Sequence, residues 1–144
     1  MSVKMQVLPL LGCASLVSCI GTYEQGPKFA SAMAPQGYGV VYAYRERKSY
    51  LALIPAMIAC GERRVGSIYS GGYTAFYLPV GKQRCTVREV PVEIEVTPRQ
   101  PVFIRLEPTM GHMLNAAVVD AATGADQIEE CQLAPGGRAR VVKD

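Results

Sequence analysis

The sequence predicts an all-β chain, a small antiparallel β-sandwich with room for one short helix near the C-terminus. Three observations carry this. Val, Ile, Tyr and Thr are abundant and are punctuated by 14 Gly and 10 Pro, the composition of many short strands and turns. The apolar runs are short and recur with a period of two rather than 3.6. The chain has 144 residues, 49% of them hydrophobic, enough for the core of one domain and not a disordered profile. The formal net charge of +3 and the lack of a basic stripe argue against a nucleic-acid partner. No apolar run reaches the roughly 20 residues that span a bilayer.

Residues 20–37 are rich in Gly, Ala, Ser and Pro and read as a tether. Strand signals fill the domain expected over 38–134. Residues 38–45 alternate weakly through Val40, Val41, Tyr42 and Tyr44, and 51–60 are apolar but interrupted by Pro55, which suggests an edge or a bulge. Residues 61–64 look like a turn into a strand at 65–69. Gly71-Gly72 turns into 73–78, and Pro79-Val80-Gly81-Lys82 turns into 83–89. Val92, Ile94 and Val96 against Glu93 and Glu95 form the cleanest alternation, one face buried and one wet. Strands at 102–106 and 113–119 complete the set. Residues 120–133 suit a short helix or a last strand, and the basic, Gly-rich tail at 135–144 reads as loose.

The first twenty residues carry an export signal. Lys4 precedes an uncharged segment running from Met5 to Val17, the layout of a secretory signal peptide over 1–18. It closes on Leu16-Val17-Ser18-Cys19, which resembles the lipobox of bacterial lipoproteins. The resemblance implies a diacylglyceryl group on the Cys19 thiol, cleavage after Ser18 and acylation of the new amino terminus. Several acyl chains are needed because one binds a membrane only reversibly. Leu10-Leu11-Gly12-Cys13 is a poorer match, since it leaves too little apolar chain before the cut. Ile20 after the lipid site, where Asp is absent, resembles the default outer-membrane destination of Gram-negative lipoproteins, with the domain facing the periplasm.

Within the domain, Ile58-x-Cys60-Gly61, Val65-Gly66, Leu78-Pro79-Val80-Gly81-Lys82 and Cys85-x-Val87 resemble the turn pattern of PEGA-type sandwich repeats. They also resemble a group of small bacterial lipoproteins defined only by a shared domain. Cys60 stands where that pattern usually has Asp. The resemblance implies a PEGA-like or prealbumin-like sandwich and brings no catalytic residue with it.

Three cysteines remain once Cys13 is removed and Cys19 lipidated. An oxidising compartment favours one bridge and one free thiol. Cys60 is in phase with Ile58 and Cys85 with Val87, so Cys60–Cys85 is preferred over either pairing with Cys131. No C-x-x-C occurs, so no metal site is expected. His112 is the single histidine, and no Ser lies in a Gly-x-Ser-x-Gly elbow, so it reads as a turn residue without catalytic duty. Glu93 and Glu95 read as the wet face of a strand, with Arg88, Arg99 and Arg105 available as partners. Arg45, Arg47, Lys48, Arg63 and Arg64 read as a solvated loop face, with lipid headgroups or polyanionic glycan as the other possibility. Tyr42, Tyr44, Tyr69 and Tyr77 sit where sandwich cores take aromatics. No cofactor and no enzymatic activity are expected. The sequence points to a membrane-anchored envelope lipoprotein acting through contacts with an envelope protein, peptidoglycan or lipid. The alternative is an anchored assembly subunit of a secretion or transport machine.

Overall fold

The computed structural model describes residues 26–48, 52–109 and 113–143. Residues 1–18, read above as a signal peptide, together with Cys19 and His112, lie outside these. The apolar alternation becomes nine strands among the described residues: β1 Tyr38–Tyr44, β2 Ala56–Cys60, β3 Arg63–Ile68, β4 Gly72–Pro79, β5 Gly81–Val87, β6 Val90–Val96, β7 Val102–Thr109, β8 Met113–Val119 and β9 Gln132–Leu133. One helix, α1 Ala121–Ile128, precedes β9. The strands form two sheets, β8-β7-β1-β4-β9 and β3-β2-β5-β6, packed as a β-sandwich. Most neighbours are antiparallel, but β1 pairs with β7, and β4 with β9, in parallel.

The core between the sheets follows from the period of two. Val41, Ala43, Phe76, Leu78, Ile104 and Leu106 on one sheet face Ile58, Val65, Ile68, Val87, Val92 and Ile94 on the other. β6 is an edge strand with one wet face, so its buried and exposed residues alternate. β1 is the middle strand of its sheet and is buried on both faces, which is why its sequence alternates so weakly.

A second apolar cluster explains the other face of β1. Val40, Tyr42, Tyr44, Tyr73, Ala75 and Phe103 point away from the sandwich interior and are covered by Ile128, Cys131 and Phe29. The expectation that Tyr42 and Tyr44 fill the sandwich core is therefore corrected: they are buried, but on the outer face. Periodicity says which residues share a face, not which face meets the second sheet. Tyr69 and Tyr77 are only half-buried. Tyr42 stacks on Phe103 at 5.3 Å between ring centroids, and Phe29 meets Tyr42 edge-on at 5.1 Å.

Residues 120–133 supply both a helix and a strand. Asp120 caps α1 by accepting from the Thr123 N–H at 2.9 Å and from its hydroxyl at 2.6 Å, which together hold its carboxyl below the usual range. Gly124 lets the helix close on the sheet, since a Cβ there would lie 2.2 Å from Phe103 Cγ. No helix among the described residues is long and apolar enough to cross a membrane.

Both ends of the domain are longer than expected. The Leu133 N–H donates to the Pro27 carbonyl at 2.8 Å, and Lys28 bridges to Gln132. The Ala32 N–H donates to the Tyr42 hydroxyl at 2.6 Å. The tether read over 19–37 is therefore docked from residue 26 onwards. Of the tail read as loose at 135–144, residues 137–142 lie along β4 instead. Gly137 and Arg140 accept from the Ala75 and Tyr77 N–H groups at 3.1 and 2.9 Å, and Val142 donates to Tyr77 at 3.0 Å. The reason is that β4 would otherwise present unpaired backbone groups along its edge.

Candidate binding surface

The two outer faces of the sandwich differ. The five-stranded sheet is largely covered by α1 and by the segment around Phe29, which leave a smaller cavity of about 400 Å³ beside Val40, Tyr42 and Phe103. Across the outer face of the four-stranded sheet runs a groove of about 650 Å³, lined by Ile54, Pro55, Met57 and Ala59 with Glu62, Arg64, Arg88 and Glu89 at its margins. β2 creates it by alternation: Ala56, Ile58 and Cys60 point into the core, so Met57 and Ala59 must point out. Met57 is 47% exposed and neighbouring Leu53 is 88% exposed.

Two features hold the groove's walls. Arg45 is fully buried, and its Nη1 donates to the Ile54 carbonyl at 2.7 Å, fixing the segment before β2. Burial, and then the nearby charge of Arg88, lower its pKa. This corrects its placement on a solvated loop face. Of the same group, Lys48 meets Glu46 at 3.9 Å on the surface, and Arg63 and Arg64 are exposed on β3. The opposite wall is the β5–β6 turn, where Arg88 and Glu89 have φ of 46° and 73°. Two positive φ values form the pattern of a type I′ turn, which favours Asn-Gly. Placing other residues there costs about 1–2 kcal/mol each. The Arg88 N–H donates to the Met57 carbonyl at 2.9 Å, so the turn is stitched to the groove floor.

The remaining site residues fall as follows. Glu93 and Glu95 lie exposed on β6, and their cross-strand partners are Arg84 and Lys82. Register, rather than chain proximity, chose these over Arg88, Arg99 and Arg105. The ladder leaves this half of the face charge-matched. Cys60 and Cys85 are register partners across β2 and β5, with Cα atoms 4.0 Å apart, and are disulfide-bonded. Cys131 is free and buried. Its thiol donates to the Arg45 carbonyl at 3.6 Å. Burial foremost, then the Glu46 and Glu130 carboxylates, push its pKa up to about 11, which suppresses the nucleophilic thiolate. Among the described residues no group of three or more His, Cys, Asp and Glu is placed to hold a metal ion.

The groove therefore offers an apolar floor, two cations and two anions, which suits adsorption of a partner of mixed character. The sequence signal for it was the apolar Met57 out of phase with Ile58 and Cys60, and the unusual Arg-Glu pair in a two-residue hairpin turn. Comparison with family models, with curated proteins and with solved structures finds no match. The likeness to PEGA-type repeats thus stands on the turn residues that suggested it.

Proposed function

We propose that the protein is a membrane-anchored envelope lipoprotein whose sandwich acts non-enzymatically, by holding a segment of another envelope protein in the groove beside Met57. The observation that supports this most is the contrast between the two outer faces. One is largely covered by the chain itself and keeps only a smaller cavity of about 400 Å³, while the other keeps an apolar floor open to solvent beside a turn whose backbone is strained. Strain of this kind persists where the surrounding structure holds it, and it clusters at binding sites. The margin carries Arg64 and Arg88 against Glu62 and Glu89. Such a balance favours a polypeptide over a polyanionic glycan or a lipid headgroup, which would meet repulsion from the two carboxylates. The anchor rests on the lipobox-like Leu16-Val17-Ser18-Cys19.

Two measurements test this reading. A photo-crosslinking residue at Met57 should give discrete adducts with an envelope protein in living cells, and the same residue at Lys82 should not. Equal adducts at both positions, or none at Met57, would refute the groove. Labelling with a clickable fatty acid should mark the wild type and not Cys19→Ala; equal label in both would refute the anchor.

The alternative, an anchored assembly subunit, is favoured by one feature. β8 ends its sheet and contains no charged residue and no proline, so it lacks the usual guards against strand addition.

A further inference from the structure

We infer that a second copy of this chain adds its β8 to the β8 of the first, antiparallel, about a two-fold axis at Ala116. The pairing uses the bare edge of β8 noted above and depends on neither the anchor nor the groove. Elimination among the sheet edges gives the first argument. The described residues form two sheets with four end strands, β8 and β9 in one, β3 and β6 in the other. An end strand shows a row of unpaired N–H and C=O groups that templates another strand unless it is guarded. Three of the four are guarded. At β9, Lys28 bridges to Gln132 and the Leu133 N–H donates to the Pro27 carbonyl, while the tail bonds the adjoining length of β4. β3 carries exposed Arg63 and Arg64, and the Arg140 side chain donates to its Val65 carbonyl. β6 carries Pro91, Glu93 and Glu95. β8 has neither charge nor proline, and nothing among the described residues pairs with its far side.

Register gives the second argument, and it selects the occupant. Pro108 has no N–H and stands opposite Leu114 in the β7–β8 ladder. That pair therefore exchanges no hydrogen bonds, and neither do its alternates, Leu106 with Ala116 and Ile104 with Val118. The N–H and C=O groups of Leu114, Ala116 and Val118 consequently point away from β7, to the open edge. Antiparallel strands bond through opposed residues of this kind. Turning the strand about Ala116 opposes Leu114 to Val118 and Ala116 to itself, which pairs all three. A shift by two residues in either direction leaves one of them without a partner in the strand. The side chains agree. Leu114 is buried and Ala116 packs on the core between the sheets. Val118, on the same face opposite Ile104, is still 49% exposed. A second copy sets its Leu114 beside that Val118. By contrast, β6 turned about its own centre would oppose Glu93 to Glu93. A symmetric contact of this kind closes as a dimer.

The test places a photo-crosslinking residue at Asn115, exposed on the outer face of β8, in the full-length protein. Two differently tagged forms are co-expressed in cells and illuminated. An adduct of twice the protein's mass should carry both tags, with the crosslink mapping to Ala117 of the other copy and its neighbours. Val118→Lys sets a charge on the exposed end of the edge and should lower this adduct several-fold, whereas Val118→Thr should retain it. The same crosslinking residue at Glu93 on β6 should give no such adduct. An Asn115 adduct with a different protein would overturn the choice of occupant. No adduct, equal adducts from Asn115 and Glu93, or an adduct indifferent to Val118→Lys would overturn the pairing. Met57 and Asn115 lie on different sheets, so failure here leaves the groove reading standing, and failure of the groove leaves this one.

Discussion

Replacing Gly124 by Ala should destabilise the domain, although helix propensity alone predicts the opposite. Gly124 occupies the interior of α1 and is buried. In an exposed helix interior Ala is favoured over Gly by up to about 1 kcal/mol. Here the added Cβ would meet Phe103 at 2.2 Å from Cγ, 2.5 Å from Cβ and 2.7 Å from Cδ1. Those atoms lie at the root of the side chain and cannot swing aside as a flexible tip would. Phe103 is also held by its stacking on Tyr42 and its edge contact with Tyr44. The helix must lift from the sheet, and overpacking of this kind costs about 1–3 kcal/mol. Steric cost exceeds propensity gain, leaving a net loss of about 1–2 kcal/mol, or a Tm lower by about 5–10 °C in a domain of this size. Thermal unfolding of residues 20–144, followed by far-ultraviolet circular dichroism, measures it. Ala122→Gly, on the exposed side of α1, is the control and should also destabilise, by up to about 1 kcal/mol, through propensity alone. A rise in Tm for Gly124→Ala would refute the close approach of α1 to β7.

Three further outcomes follow from the same structure. Thiol counting on the denatured, unreduced domain should find one thiol; Cys131→Ser should leave none, while Cys60→Ser should lose the bridge, whose loop of 25 residues corresponds to about 3.5 kcal/mol by loop-closure entropy. Peptide mapping that joined Cys131 to either partner would contradict this. Because the Cys131 pKa is raised from 9.0 to about 11 in the folded state, its contribution is complete below pH 9 and is lost as pH rises through 11, since the unfolded chain releases that proton first. Cys131→Ser should flatten this limb of a stability–pH curve, and an unchanged slope there would argue against a buried thiol. Finally, Arg88→Asn with Glu89→Gly should raise stability by relieving two positive-φ residues while weakening crosslinking from Met57; a loss of stability in urea unfolding would show that the turn is not strained.

The legibility of each element depended on how many of its faces meet water. β6 was plain because Glu93 and Glu95 stay wet while Val92, Ile94 and Val96 are buried. Cys60 and Cys85 were legible as a pair because each keeps phase with an inward neighbour, Ile58 and Val87, and strand pairing then sets them opposite one another. β1 was faint because it is covered on both sides. α1 and β9 could not be separated in the sequence because Gly124 reads as a turn residue. Only the approach to Phe103 explains a glycine inside the helix, although Asp120 three residues before Thr123 was a capping signal available all along.

From the sequence by itself came the all-β class, the strand positions to within a few residues, the preferred disulfide and the lipobox resemblance, since each is written in local spacing or in residue chemistry. Tertiary structure alone decided that Tyr42 and Tyr44 face α1 rather than the second sheet, that Glu93 and Glu95 oppose Arg84 and Lys82, and that Arg45 is buried. It alone decided that residues 26–37 and the tail are docked, leaving a groove on one face. The physical reason is common to all of these. Periodicity records that a face is apolar or wet, but which surface covers it, and which backbone edge recruits a Gly- and Pro-rich segment to satisfy its hydrogen bonds, are settled between residues far apart in the chain.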